Sequence, residues 1–469
     1  MNRKLTSKFK LVTSIALVML MAFSSVIPAL ANPNRPTNQQ PSVGTGFLNQ
    51  AKSVITKVLK MPIGTTTPAA NFKFVFEPKG INADESAGTI ATMPAIGPKN
   101  ITFSSADDSR PNGEGFGMFI EGDVKSVIKE STDLTIGQNI NWPGPGVYKY
   151  EVHESQLNHV SIDMSGYTSN SGVEYSTARY KIEFWVAVDD NDPLKRYYVQ
   201  YVNAITIKEW LDDYYEGTPG GEKVDPTPGG SFKKPYESLE LGFSQLIFTN
   251  KFWMSDGGGN DSAMEIWKTV TGYDPDPTFV DSVGFNFQIT VTKPSLVPGV
   301  QTYIAYVVDK AGNIVTGSNN RNYANANATT GFIDIPSGGM ITIKLWNGEK
   351  IKFVDIHVGS VIEVNELNPG SDFIPSYERT FANPGTFPGK VTDNEWGFPR
   401  SSDPPDLGEH RLPMGKNMNF VKYTNTRTNA TPTGLDVDDL PYLVLIGLGL
   451  AGFLGFAVLK SRRRTQYDA

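Results

Sequence analysis

The sequence predicts an all-β chain: two tandem Ig-like β-sandwich domains, preceded by a cleaved leader and followed by a C-terminal transmembrane helix. Three observations predict it. Short segments rich in aromatic and β-branched residues alternate apolar with polar positions, which is strand periodicity. Clusters of Gly, Pro, Asn and Asp punctuate them as turns do in antiparallel sandwiches. Between the two ends no window sustains a 3.6-residue period.

The elements justify this in order. Residues 1–10 are basic, with Arg3, Lys4, Lys8 and Lys10, and 11–27 are apolar. Ala29 and Ala31 then give the small-x-small pattern of a secretory signal peptide, so 1–31 is read as a signal cut after Ala31. A Pro/Asn/Gln-rich leader, 32–49, follows. The first sandwich, 50–252, carries strand signals at 72–76 (FKFVF), 148–152 (YKYEV), 180–188 (YKIEFWVAV) and 197–207. One stretch, 207–215, reads as a helical exception, and 217–235 as a long loop. A Gly/Asp-rich linker is placed at 253–262. The second sandwich, 263–428, has strand signals at 285–291, 303–308, 340–345 and 361–364. Residues 429–440 form a spacer. The stretch 441–459 has no charge and is long enough to span a bilayer. The basic stub 460–469, with Lys460, Arg462, Arg463 and Arg464, is held in the cytoplasm by the positive-inside rule.

Composition excludes several function classes. The 42 Lys+Arg and 49 Asp+Glu give a net charge of −7, which implies no basic face and no nucleic-acid partner. The absence of cysteine removes disulfides, thiolate nucleophiles and zinc-thiolate sites. The four histidines show no metal-binding spacing, so no metal and no cofactor is expected. His153 and His159 flank Glu154, but strand parity turns His153 outward. Asp189–Asp192 and 274–277 lack the spacing of a calcium loop and read as polar turns. No carboxylate pair supports a glycosidase, and a secreted hydrolase has little in its favour.

The two sandwiches share an order of features. Each opens with a lysine in a short apolar segment, 55–59 (ITKVL) and 266–270 (IWKTV). Each then has an F-x-F strand, 72–76 and 285–287. Later comes a strand ending in glutamate, 148–154 and 362–366. Each closes on Thr-Asn, 246–250 (LIFTN) and 421–425 (VKYTN). Residues two apart on a strand share a face. By that parity Lys57, Glu154 and Asn250 sit on the apolar sides of their strands, as do Lys268, Glu366 and Asn425. Lys60 is a rival to Lys57 on a less apolar face, while Glu151 and Glu363 alternate outward.

Burial drives lysine toward the neutral amine and glutamate toward the acid. A neutral amine is a nucleophile, and an Asn side chain offers a carboxamide carbon. A protonated Glu can polarise that carbonyl and pass a proton to departing ammonia. A dry core supplies the effective molarity for a Lys–Asn amide crosslink. Parity equally fits a buried Lys–Glu ion pair beside a hydrogen-bonded Asn.

The pattern K…FxF…YxYxVxE…FTN resembles the isopeptide-forming domains of streptococcal-type pilins and related Gram-positive surface proteins. That resemblance implies Lys57–Asn250 and Lys268–Asn425 crosslinks promoted by Glu154 and Glu366. The tail is similar to a cell-wall sorting signal, with 430–435 (ATPTGL) as an xPTG variant of the sorting pentapeptide. By resemblance a sortase cuts between Thr433 and Gly434 and transfers the Thr433 carbonyl to an amine of another pilin subunit or of the cell wall. No pilin motif marks the polymerising lysine, and Lys233 and Lys234 are the exposed candidates. The function implied is a pilus shaft subunit at the cell surface, transiently held in the membrane by its C-terminal helix and performing no catalytic turnover. The alternative is a monomeric wall-anchored adhesin. A crosslink between first and last strands closes a loop of nearly a whole domain and resists unzipping.

Overall fold

The computed structural model describes residues 42–135, 140–155, 162, 169–208, 221, 223–230, 242–256, 264–272, 282–316, 326–367, 369–370, 372–381, 391–393, 414–415, 419–427 and 440–465. Ala31, Lys233, Lys234, Thr433, Gly434, His159 and 274–277 lie outside them.

Two pairs of facing sheets hold the apolar residues. The first pair is a five-stranded and a six-stranded sheet. In the five-stranded sheet the order is Phe116–Glu121, Val124–Glu130, Thr56–Pro62, Ile247–Trp253 and Gly172–Glu174. In the six-stranded sheet it is Lys223–Val224, Tyr197–Lys208, Arg179–Val188, Gly146–Glu154, Ala70–Ile81 and Lys99–Phe103. Alternation decides which side faces in. Phe72, Phe74 and Phe76 from one strand and Tyr148, Tyr150 and Val152 from its neighbour are buried in one core, whereas Lys73 and Lys149 lie on the other face.

The second pair repeats the plan with different strand numbers. Its larger sheet centres on Lys350–Val354, Met264–Gly272, Asn419–Arg427 and Phe373–Phe381, within seven strands. Its smaller sheet is Met340–Trp346, Gly284–Thr292 and Val361–Leu367. Phe285, Phe287, Ile289, Ile343, Ile351 and Val421 fill the space between them.

In both pairs the strand that opens the unit lies parallel to the strand that closes it. Thr56–Pro62 pairs with Ile247–Trp253 and places Leu59 opposite Asn250. Met264–Gly272 pairs with Asn419–Arg427 and places Val270 opposite Asn425. Every other strand pairing among the described residues is antiparallel.

The structure corrects three expectations. Residues 207–208 end the strand Tyr197–Lys208 and do not begin a helix, because Thr206 and its neighbours keep the alternation of the sheet. The linker starts as ordered strand: Ser255–Asp256 pairs with Ile356–His357. Met254 and Val358 are buried together in the first core, joined by Val358 N donating to Met254 O at 2.9 Å. Finally, the strand carrying Lys57 is buried on both faces, and Lys60 is only 2% exposed. Val58, Phe119, Ile128 and Phe243 cluster on its outer side, so the face read as less apolar in sequence is covered as well.

At the C-terminus one helix spans Leu440–Thr465. Counting only described side chains, no helix is long and apolar enough to cross a membrane.

Candidate functional site: two lysine–glutamate–asparagine triads

Each triad is assembled by register. Lysine and asparagine come from the parallel pair in one sheet. The lysine stands two residues before the partner of the asparagine in both units, Lys57 against Leu59↔Asn250 and Lys268 against Val270↔Asn425. A two-residue offset keeps both side chains on one face. The glutamate comes from the facing sheet, opposite the second phenylalanine of the F-x-F strand: Phe74↔Glu154 and Phe287↔Glu366. The first phenylalanine then lies over the lysine. Nζ of Lys57 is 4.4 Å from the Phe72 ring centre, and that of Lys268 is 4.1 Å from Phe285.

All six residues are buried, and the lysine–glutamate contacts are closed to water. In the first unit Lys57 Nζ donates to Glu154 Oε2 at 2.6 Å. Glu154 Oε1 accepts from Asn250 Nδ2 at 2.7 Å. In the second unit a single oxygen serves both partners. Glu366 Oε1 accepts from Lys268 Nζ at 2.6 Å and from Asn425 Nδ2 at 2.9 Å.

Burial outweighs the attraction of the glutamates and pulls both lysines down from 10.5 to about 8. Glu366 is pushed up, mainly by burial, against the pull of Lys268. Shifting one proton from lysine to glutamate gives a neutral amine and a carboxylic acid in contact, the pair that transamidation requires.

One expected role changes. The glutamate faces the amide nitrogen of each asparagine, not its carbonyl oxygen. For Asn250 the assignment is fixed, because Oδ1 accepts from the backbone N–H of Ser176 at 2.6 Å and only an oxygen can do so. In a transamidation Glu154 and Glu366 would face the departing nitrogen, while the Asn250 carbonyl accepts from a backbone group. The sequence carries no side-chain signal for that donor.

The rival residues are engaged elsewhere. Glu151 lies on the outer face with Lys79 and Arg179. It also forms a cluster with Glu77 and His153 that offers ligand atoms within 4.8 Å of one another. Lys79 sits between the two carboxylates, 3.1 Å from Glu77 and 3.2 Å from Glu151. Asp189 and Asp192 serve as turn anchors: Asp189 accepts from the N–H groups of Phe47 and Asn191, and Asp192 pairs with Arg196.

A second buried lysine shows what an ordinary structural ion pair looks like here. Lys125 is 3% exposed, lies 2.7 Å from Asp108 and also donates to Thr65 O. No asparagine joins it among the described residues, and Asp108 also holds Thr67.

No family model matches the chain, and no curated protein does. Solved structures that it resembles include pilins and an adhesin. The major pilin from Streptococcus pyogenes is 17% identical over 81% of this chain and 99% of its own, with a TM-score of 0.28. The T3.2 major pilin of the same species is 15% identical, covering 81% and 98%, again with a TM-score of 0.28. A bacterial adhesin from Mobiluncus mulieris containing disulfide, isopeptide and ester crosslinks is 10% identical, covering 81% and 100%, with a TM-score of 0.17. At these TM-scores the likeness carries no argument about function.

Proposed function

We propose that this chain is a structural subunit of a covalent surface fibre, a pilus shaft protein whose two domains are each stapled by an autocatalytic Lys–Asn isopeptide bond. The observation that carries the reading is the repeated triad. Two units with little sequence identity bring Lys, Glu and Asn together from the same register positions, in dry cores, under a phenylalanine ring. A buried ion pair needs no asparagine on the glutamate; a transamidation centre does.

In each centre the neutral lysine Nζ attacks the asparagine Cγ. The tetrahedral intermediate collapses with loss of Nδ2, which leaves as ammonia carrying a proton delivered through the glutamate. One Nζ–Cγ bond forms and one Cγ–Nδ2 bond breaks, and the carboxylate recovers the proton released by the lysine. Each domain acts once on itself.

The ends of the sequence complete the reading. The signal peptide exports the chain, the stretch 441–459 holds the precursor in the membrane, and a sortase joins Thr433 to an amine of the next subunit or of the wall.

The test is the intact mass of recombinant residues 32–433 beside Glu154→Ala and Glu366→Ala. The expected wild type is lighter than its sequence by two ammonia molecules, with one regained in each variant. A wild type at full sequence mass sinks the crosslinks. Sortase-dependent ladders on a denaturing gel then separate a shaft subunit from a singly anchored protein.

A further inference from the structure

The two centres are not chemically equivalent, and the difference lies in the carbonyl that becomes an oxyanion. In the first, Asn250 Oδ1 is held at 2.6 Å by the Ser176 N–H in a buried site. In the second, Asn425 Oδ1 is buried and has no hydrogen-bond partner among the described residues, and neither has Glu366 Oε2.

The cause is where the neighbouring strand ends. In the first unit the strand beside the asparagine is Gly172–Glu174, and its last pair is Glu174↔Lys251. The ladder thus stops one residue short of Asn250. The chain leaves the sheet at Tyr175, and the next amide, Ser176 N–H, turns onto the Asn250 side chain. In the second unit the strand Phe373–Phe381 continues through the site and pairs Pro375 with Asn425 and Ser376 with Thr424. Ser376, the counterpart of Ser176, stays in that ladder. Tyr175-Ser176 and Pro375-Ser376 occupy matching places, but only the first frees a donor.

We infer that the Ser176 backbone N–H is the oxyanion donor of the first crosslink, and that the second centre works without one, so the Lys57–Asn250 bond forms ahead of the Lys268–Asn425 bond. This rests on the isopeptide reading above. When Lys57 Nζ adds to Cγ, the carbonyl π-electrons move to Oδ1 as negative charge. A donor already aimed at that oxygen in a water-free core stabilises the charge with no reorganisation. When the intermediate collapses the charge returns to the carbonyl, the C–N bond to ammonia breaks, and the N–H again holds a neutral oxygen. In the second centre the same charge develops on an oxygen that meets no donor among the described residues.

Cell-free synthesis of residues 32–433, sampled over time and digested with trypsin, reads each crosslink as a joined peptide pair lacking one ammonia. The first pair is expected to appear about tenfold or more faster than the second, given the 10²–10³-fold worth of a single oxyanion donor. Equal rates, or the second bond leading, overturn the inference. The direct variant replaces Ser176 by its α-hydroxy acid through nonsense suppression, which turns only that N–H into an ester oxygen. It is expected to slow the first bond about a hundredfold while the second bond in the same molecules keeps its rate. The same replacement at the exposed Thr177 controls for backbone disturbance and is expected to change neither. An unchanged first rate in the Ser176 ester, or equal slowing of both bonds, overturns the inference. Absence of both bonds from the wild type is a separate outcome: it overturns the isopeptide reading itself.

Discussion

Phe74 and Glu154 are partners across one sheet, yet Glu154 spends both carboxylate oxygens on the facing sheet. Phe287 and Glu366 are likewise partners, but Glu366 reaches the facing sheet through Oε1 alone. A phenylalanine opposite the acid closes the core around it, and the phenylalanine two residues earlier covers the lysine. The F-x-F strand thus walls in the lysine–glutamate pair as well as being a core element. Phe72→Leu and Phe285→Leu keep an apolar residue while opening space beside the amine. Each is expected to lose about 1–3 kcal/mol of stability and to slow its own crosslink without touching the other, read by peptide mass over time. Slowing of both bonds by either change would contradict a local role.

The crosslinks should appear as stability. Each joins the first strand of a unit to its last, so it removes most of the loop-closure entropy of that unit, worth about 5 kcal/mol on the treatment used for disulfides. Asn250→Ala and Asn425→Ala each lose one bond. Calorimetry is expected to show a large drop in Tm for each, and trypsin to cut each variant faster. A Tm within a degree or two of wild type would show that the bond adds nothing to the folded state.

Without the bonds, the lysines should impose a pH dependence. In the double variant Asn250→Ala, Asn425→Ala both amines remain free, with pKa values near 8 in the fold against 10.5 when exposed. Between pH 8 and 10 the unfolded chain therefore binds more protons than the folded one, and unfolding free energy rises with pH. Above pH 10 the buried Tyr150 and Tyr303 oppose it, because burial pushes both phenols up, Tyr303 to about 12. Tm is expected to climb from pH 8 to 10. Adding Lys57→Met and Lys268→Met should abolish that climb, and its persistence would assign it to other groups.

The buried pair Lys125–Asp108 predicts an asymmetry between its two partners. Asp108→Ala leaves an ammonium in a site with 3% exposure, costing about 3–5 kcal/mol. Lys125→Met removes the charge that needs a partner and keeps the volume, so its cost should be much smaller. Denaturant melts of the two variants check the order, and a larger loss in Lys125→Met would reverse the argument.

The junction between the two sandwiches is built to be stiff. Asp355 accepts from Asn170 and from Ser255, both at 2.6 Å. His357 is buried with Nε2 at 3.2 Å from Asn170 O and Nδ1 at 3.0 Å from the Tyr303 hydroxyl. Gly359, at φ +86°, has no room for a side chain: a Cβ there would sit 2.7 Å from Pro62 and 2.8 Å from Ile63 O. Asp355→Ala and Gly359→Ala are each expected to add small-angle scattering signatures of bending and to split a single melting transition into two. Unaltered scattering from both would show that the junction does not depend on these contacts.

Much of the site was legible in the sequence because strand parity is rigid. Once Phe72, Phe74, Tyr150 and Phe248 are placed inward, Lys57, Glu154 and Asn250 must follow them. The same rule picked out Lys268, Glu366 and Asn425, and it turned Glu151 outward to Arg179. It did not expose Ser176, because the group that acts there is a backbone N–H whose direction depends on where a ladder stops. Nor did it show that Lys60 is covered, since Phe243 comes from a distant segment that packs on the outside of the sheet. The strand pairing at Ser255 and Asp256 was hidden by a Gly/Asp-rich context that ordinarily marks a loose connection. Ser376, the counterpart of Ser176, is likewise identified only by the register that places it opposite Thr424.

The parallel pairing of Thr56–Pro62 with Ile247–Trp253, and of Met264–Gly272 with Asn419–Arg427, has a geometric result. A chain whose opening and closing strands point the same way enters a domain at one pole and leaves at the opposite pole. Each unit is then a vector: it displaces the chain by its own length and hands it on without a return. Adding units, within one chain or between chains, sums those vectors. Antiparallel end strands would bring the chain back to where it started, and the same two sandwiches would give a knot of domains instead of a line.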